Sequence, residues 1–165
     1  MPRSVRKTAA VAATVTFRRA DDADLAAVVA LLADDDLGAE REGSDLAPYR
    51  EAFAEIDADP RHLLLVGDLG GEVVACLQLT VLPCLTHGGR RRSQVEGVRV
   101  RGDQRGAGVG RQLLRHAIAW SIEQGCGVVQ LTTDKRRPEA LRFYEQLGFV
   151  ATHEGLKLPL PSAPG

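Results

Sequence analysis

The chain has 165 residues, room for one domain with a core of its own and too few for two of ordinary size. Hydrophobic residues make up 44% and charged residues 26%, and the apolar runs fall far short of the roughly 20 residues of a membrane span, which excludes a spanning helix. A formal net charge of −1, with one Trp, two Tyr and four Phe, gives no argument for nucleic-acid binding by bulk charge or by base stacking.

Charge is nevertheless segregated along the chain. Residues 1–19 carry five basic and no acidic groups, and their first thirteen read as a flexible basic tail. One domain follows over 14–160, and 161–165 read as a second tail. Thr14–Arg19 reads as a short strand, and Asp21, Asp22 and Asp24 mark the start of a helix whose stripe is Leu25, Val28, Val29, Leu31 and Leu32. A polar loop over 34–45 precedes a second helix from Leu46 to Ile56. Residues 20–72 hold fifteen acidic and three basic groups, so this half of the chain would attract a cationic partner. A solvated acidic face is the plainer alternative.

His62–Val66 and Glu72–Leu82 form a predicted hairpin around Gly-Asp-Leu-Gly-Gly, with Val73, Ala75, Leu77, Leu79 and Val81 on one face. In Gln94–Arg101 the alternation slips. Val95 is apolar at an odd position and Val98 and Val100 at even ones, as a β-bulge beside Gly97 would produce. Gly108–Gln124 is an amphipathic helix with Val109, Leu113, Ala117, Ile118 and Ser121 on one face, and Gly125 ends it. Val128–Thr133 is a strand, 138–147 a helix opened by Pro138, and Phe149–Glu154 and Leu156–Leu160 are final strands. The order implies a mixed α/β fold. Cys76, Cys84 and Cys126 form no paired motif, which suits a reduced, cytoplasmic protein without a zinc site.

The run from Val98 to Arg111 carries the chemistry. A strand enters a glycine-rich loop that opens directly into the amphipathic helix. The first N–H groups of a helix lack internal partners and sit at the positive end of its dipole, so such a junction binds anions. Arg105 and Arg111 add charge, and a phosphate or pyrophosphate is the natural ligand. Neither the dinucleotide fingerprint nor the Walker pattern is present.

Arg105-Gly106-Ala107-Gly108-Val109-Gly110 resembles the R/Q-x-x-G-x-G/A motif of the GNAT N-acetyltransferase superfamily. Ala140-Leu141-Arg142-Phe143-Tyr144-Glu145-Gln146-Leu147-Gly148-Phe149 is similar to a second segment of the same proteins, A-x-x-F-Y-E-x-x-G-F. The resemblance spans about residues 14–155. It implies a mixed, mostly antiparallel sheet with splayed parallel strands and about four flanking helices. It also implies acetyl-CoA as acyl donor, an amine as acceptor and no metal.

By that resemblance, the pyrophosphate rests on backbone N–H groups of Arg105, Gly106, Gly108, Val109 and Gly110, with Arg111. Val98 and Val100 offer backbone groups to the pantetheine arm and thioester. Tyr144 is the candidate general acid for the departing thiolate, with packing or hydrogen bonding to sulfur as the alternative. Glu96, beside the slip, is the candidate base, although a glutamate on a strand is often only solvated surface; His153 and His87 are weaker candidates. Many relatives carry Asn where Arg137 stands, so that contact to the cofactor is in doubt. The function implied is acetylation of a primary amine on a small, possibly cationic molecule by direct attack in a ternary complex. A protein or peptide acceptor, or a non-catalytic acyl-CoA-binding regulatory module, are the alternatives. No membrane or nucleic-acid partner is expected, and a homodimer is left open.

Overall fold

The computed structural model describes residues 14–34 and 36–161. The expected basic tail 1–13 and most of the second tail lie outside the described residues. In chain order the elements are β1 (Thr16–Arg19), a 3-10 turn (Asp22–Asp24), α1 (Leu25–Leu32), α2 (Asp36–Ala39), α3 (Ala47–Ala58), β2 (His62–Leu69), β3 (Glu72–Leu82), α4 (Thr86–Gly89), β4 (Arg92–Val100), a 3-10 turn (Gly102–Gln104), α5 (Val109–Glu123), β5 (Val128–Leu131) and α6 (Pro138–Glu145). The five strands form one sheet in chain order, antiparallel throughout except for the parallel β4–β5 pair. The fold is therefore mixed α/β, as the sequence implies.

The entry to α1 is fixed by its acidic residues. Asp21 accepts from Ala23 N at 2.9 Å and Asp24 accepts from Asp21 N at 2.9 Å, a capping box that satisfies two orphan donors. Asp24 also receives Arg18 Nη1 at 2.6 Å and Nη2 at 2.9 Å, and Arg18 reaches Asp68 at 3.0 Å. One guanidinium thus ties β1, the turn and the end of β2 together.

The sheet is covered on both faces. Leu77, Leu79 and Val95 pack with Leu113, Leu114 and Ala117 of α5. Leu64, Val66 and Cys76 pack with Val28, Val29 and Leu31 of α1 and Phe53 of α3. The single apolar face expected for β3 is therefore only half of its burial, since Val74 and Cys76 on the other phase are also sealed. A register shift between Gly67 and Asp68, opposite Ala75 and Val73, sends Val73 to the α1 side instead of keeping it in line with Ala75.

The predicted bulge in β4 is present. Gln78 pairs with Glu96 but Cys76 pairs with Arg99, so β4 carries one extra residue there, and Gly97 adopts φ 62°. The last two expected strands do not form. Residues 149–161 follow α6 without joining the sheet, and Leu156, Leu158 and Leu160 are 94%, 84% and 80% exposed. Alternating leucines describe which face a strand would bury, but a ladder also needs donors, and Pro159 has none. Among the described residues, no helix is long and apolar enough to cross a membrane.

Candidate active site

The cleft arises where β4 and β5 part. Their pairing covers Arg92–Val95 against Val128–Leu131, and β4 runs on to Val100 with no strand beside it on that edge among the described residues. The extra residue at Gly97 bends β4 at the point of departure. Beyond it, Arg101 N donates to Val74 O at 2.8 Å, which places Val100 and Ala75 in non-hydrogen-bonded register. Val100 therefore turns its N–H and C=O away from β3, and strand alternation gives Val98 the same orientation. The Val98 carbonyl accepts from Arg99 Nη1 at 2.9 Å and the Val100 carbonyl from Arg105 Nε at 2.9 Å. Val98 and Val100 thus direct backbone groups away from β3 on the stretch of β4 beyond its pairing with β5.

At the end of β4 the glycine loop turns into α5. Gly106 and Gly108 sit at φ 79° and 82°, a region that side-chain-bearing residues rarely occupy, and Gly108 caps the helix without a side-chain bond. Gln112 N is the first to bond back, to Gly108 O at 3.1 Å, so the N–H groups of Val109, Gly110 and Arg111 have no helical acceptor. The first turn holds no acidic residue to satisfy them. These residues fit a pyrophosphate. Arg105 departs in part from the expected cradle: its N–H donates to Gly102 O at 3.4 Å, and its side chain reaches Asp34 Oδ2 at 3.4 Å.

Tyr144 lies on α6, which packs beside the start of α5. A Cβ on Gly110 would stand 3.3 Å from Phe143 Cζ and 3.5 Å from Val100 Cγ2, so the absent side chain lets α6 approach the start of α5 and the end of β4. Tyr144 packs edge-on against Phe143 and Phe149, with ring centroids 5.3 and 5.8 Å away. Burial pushes its phenol up, and the charges of Arg99 and Arg137 pull it partly back. It is a protonated group at neutral pH, able to donate.

Glu96 lies at the bulge, exposed, opposite Gln78. His153 pairs with Thr152 Oγ1 at 2.6 Å, and His87 occupies a left-handed turn at φ 53°. In the basic run 135–137, Arg136 binds Asp134 at 2.9 Å and Lys135 binds Glu154 at 3.0 Å, while the Arg137 carbonyl accepts from Ala140 N. Among the ion pairs that the sequence does not announce, two bear on this region. Asp34–Arg105 joins the loop after α1 to the glycine loop, and Arg41–Asp134, at 3.3 Å, joins that region to the turn after β5. The acidic stretch is correspondingly less open than its composition suggests: Asp34 is held by Arg105, Glu42 accepts from Tyr49 Oη at 2.7 Å, and Asp45 accepts from Ala47 N at 3.0 Å. Among the described residues no group of three or more His, Cys, Asp or Glu is placed to hold a metal ion.

A bulged strand, a splayed parallel pair and a glycine loop opening a helix define an acyltransferase-like cleft, and the chain belongs to the GNAT acetyltransferase family, whose model matches residues 13–149. Among solved structures it is similar to a protein from Bacillus halodurans described as a transcriptional regulator, at 49% identity and a TM-score of 0.86, covering 89% of this chain and 100% of that one. It is also similar to a putative acetyltransferase from Agrobacterium tumefaciens, at 29% identity and a TM-score of 0.79, covering 88% of this chain and 99% of that one. A curated relative, glucosamine 6-phosphate N-acetyltransferase of Trypanosoma brucei brucei, is 36% identical over 90 residues. That match spans 54% of this chain and 59% of the relative's length.

Proposed function

We propose that the protein is an acetyl-CoA-dependent N-acetyltransferase that acetylates a primary amine of a small molecule. The observation that supports this reading is that β4, bulged at Gly97 and unpaired with β5 beyond Val95, runs into a glycine loop and a helix start whose N–H groups at Val109–Arg111 have no helical acceptor. Acetyl-CoA supplies the acetyl group as a thioester. The loop N–H groups of Gly106, Gly108, Val109 and Gly110, with the side chains of Arg105 and Arg111, hold the pyrophosphate. The edge of Val98 and Val100 orients the thioester, and an N–H there opposes the negative charge developing on its oxygen.

The acceptor arrives as an ammonium ion, and Glu96 takes its proton directly or through water. The amine nitrogen then forms a C–N bond to the acetyl carbon as the C–S bond breaks. Tyr144 gives its phenolic proton to the departing sulfur, and the second proton shed by the acylated nitrogen passes through water and restores the phenol. The products are an acetamide and free CoA. The curated relative supports a small-molecule amine as acceptor class; the exposed carboxylates of Asp36 and Glu40 favour a cationic one.

Calorimetric titration with acetyl-CoA tests the donor site, with saturable binding as the expected result; no binding by folded protein would remove the whole reading. Tyr144→Phe is then expected to lower kcat by about 10²-fold or more with acetyl-CoA affinity changed less than about threefold. Undiminished turnover would remove Tyr144 as the acid. The relative described as a transcriptional regulator favours a second reading, a non-catalytic acyl-CoA-binding module. Donor binding without turnover across a broad amine panel would select it.

A further inference from the structure

We propose that Arg99 sets the affinity for the donor by occupying the free edge of β4, so that the pantetheine arm of acetyl-CoA must displace it. This inference rests on the donor reading above. Beyond Val95 the edge of β4 away from β3 has no strand beside it among the described residues, and the carbonyls of Val98 and Val100 face that edge. Neither carbonyl is bare. The Val98 carbonyl accepts from Arg99 Nη1 and the Val100 carbonyl from Arg105 Nε, both at 2.9 Å. A neighbouring extended chain would place its amide nitrogens at the same distance from the same oxygens. Two guanidinium groups of the protein therefore stand where the polar atoms of an extended ligand would.

The two arginines reach this edge by different routes. Arg105 follows the strand and returns to it from the glycine loop, where the pyrophosphate of the donor gives its guanidinium another partner. Arg99 belongs to the strand itself. It sits opposite Cys76, on the face that packs with α1, whereas Val98 and Val100 pack on the α5 face. Its stem leaves β4 on that face, and Nη1 comes back to the carbonyl of the residue before it, so the side chain folds over the border of the sheet. From there its charge is felt by the Tyr144 phenol on α6. Exposed strand edges are commonly blunted by charged side chains, and Arg99 does this from within its own strand.

Such a contact works against the ligand. A ligand that binds only the uncovered edge has its apparent dissociation constant raised by the inverse of the uncovered fraction, so an edge open about one tenth of the time weakens binding about tenfold. A hydrogen bond from a charged donor is strong enough to hold that ratio, and Arg99, being half-buried, is screened less than a fully solvated side chain. Removing the guanidinium should then tighten the binding of acetyl-CoA. Loss of a cation beside a polyanion ordinarily does the reverse, so the direction of the change separates the two roles.

Calorimetric titration of Arg99→Met tests this, since methionine keeps an unbranched stem and has no donor. Acetyl-CoA is expected to bind the variant about tenfold more tightly than the wild type, equivalent to about 1.4 kcal/mol. Adenosine 3′,5′-bisphosphate, which has no pantetheine arm, should gain nothing from the substitution. In the wild type, the Arg99 Nη resonances should shift on addition of acetyl-CoA and stay in place with the bisphosphate, a readout that needs no variant. Three results overturn the proposal: acetyl-CoA bound equally or more weakly by folded Arg99→Met, a bisphosphate that tightens as much as acetyl-CoA, or Nη resonances indifferent to acetyl-CoA. Wild-type protein that binds no acetyl-CoA removes the donor reading itself, whereas wild-type binding with an unimproved variant removes this inference alone.

Discussion

Asp24 is buried where β1, the first turn and the end of β2 meet, and it is ionised there because Arg18 donates two hydrogen bonds to it. Those bonds outweigh the cost of burial and hold the carboxyl below its usual range. A carboxyl depressed in the folded state contributes stability above its unfolded pKa of about 3.9 and loses it as pH falls through the folded value. Asp24→Asn is therefore expected to destabilise the protein by about 2 kcal/mol at pH 7, through loss of the charge-assisted bonds and a weakened capping box. The deficit should shrink at pH 3, below the unfolded pKa, where proton uptake by the unfolded wild-type carboxyl lessens the advantage of its ionised form in the folded protein. Urea denaturation at the two pH values measures this, and an equal deficit at both would show that the charge of Asp24 is not what matters. Tyr144 shows a different use of burial at the same scale. Its enclosure by Phe143 and Phe149 keeps the proton on oxygen.

The loop that starts α5 depends on two glycines for two different reasons. Gly108 has open space around its missing Cβ but a φ of 82°, so Gly108→Ala tests backbone strain alone and should cost about 1 kcal/mol of stability. Gly110 is helical and faces Phe143 and Val100, so Gly110→Val pushes α6 away from the cleft and is expected to weaken acetyl-CoA binding about tenfold or more, a loss of about 1.4 kcal/mol. Titration calorimetry checks the second, and unchanged affinity would show that the approach of α6 does not shape the donor site. These elements were legible in the sequence because glycines, a helical stripe and two motifs coincide over a short stretch, and the slip at Glu96–Gly97 was legible because it reverses a clear alternation. The shift opposite Val73–Ala75 was hidden, since β3 is apolar on both phases and a reversal leaves no trace. The strands expected after Phe149 were over-read for a related reason: alternation describes one side chain row, whereas pairing is a property of two backbones. Asp34–Arg105 and Arg41–Asp134 join residues 71 and 93 positions apart, a relation that local pattern does not encode.

Across the whole molecule, the central sheet separates a layer of α1 and α3 from a layer of α5 and α6, and the acidic and basic halves of the sequence meet at the rim of the cleft through those two exposed pairs. Being exposed, each contributes little and weakens with salt. The middle of the sheet behaves otherwise. Cys76 is 1% exposed, its Sγ donates to the Gly97 carbonyl at 3.7 Å across the bulge, and burial pushes its thiol up to about 12. Cys84 and Cys126 are only partly covered. An aromatic disulfide reagent at mildly alkaline pH should therefore consume two thiols quickly and the third only when β3 and β4 come apart. The slow phase would time the opening of the sheet at the base of the cleft, and acetyl-CoA, by favouring the closed protein, should lengthen it. One small sulfur atom thus serves as an internal clock, read without any added label.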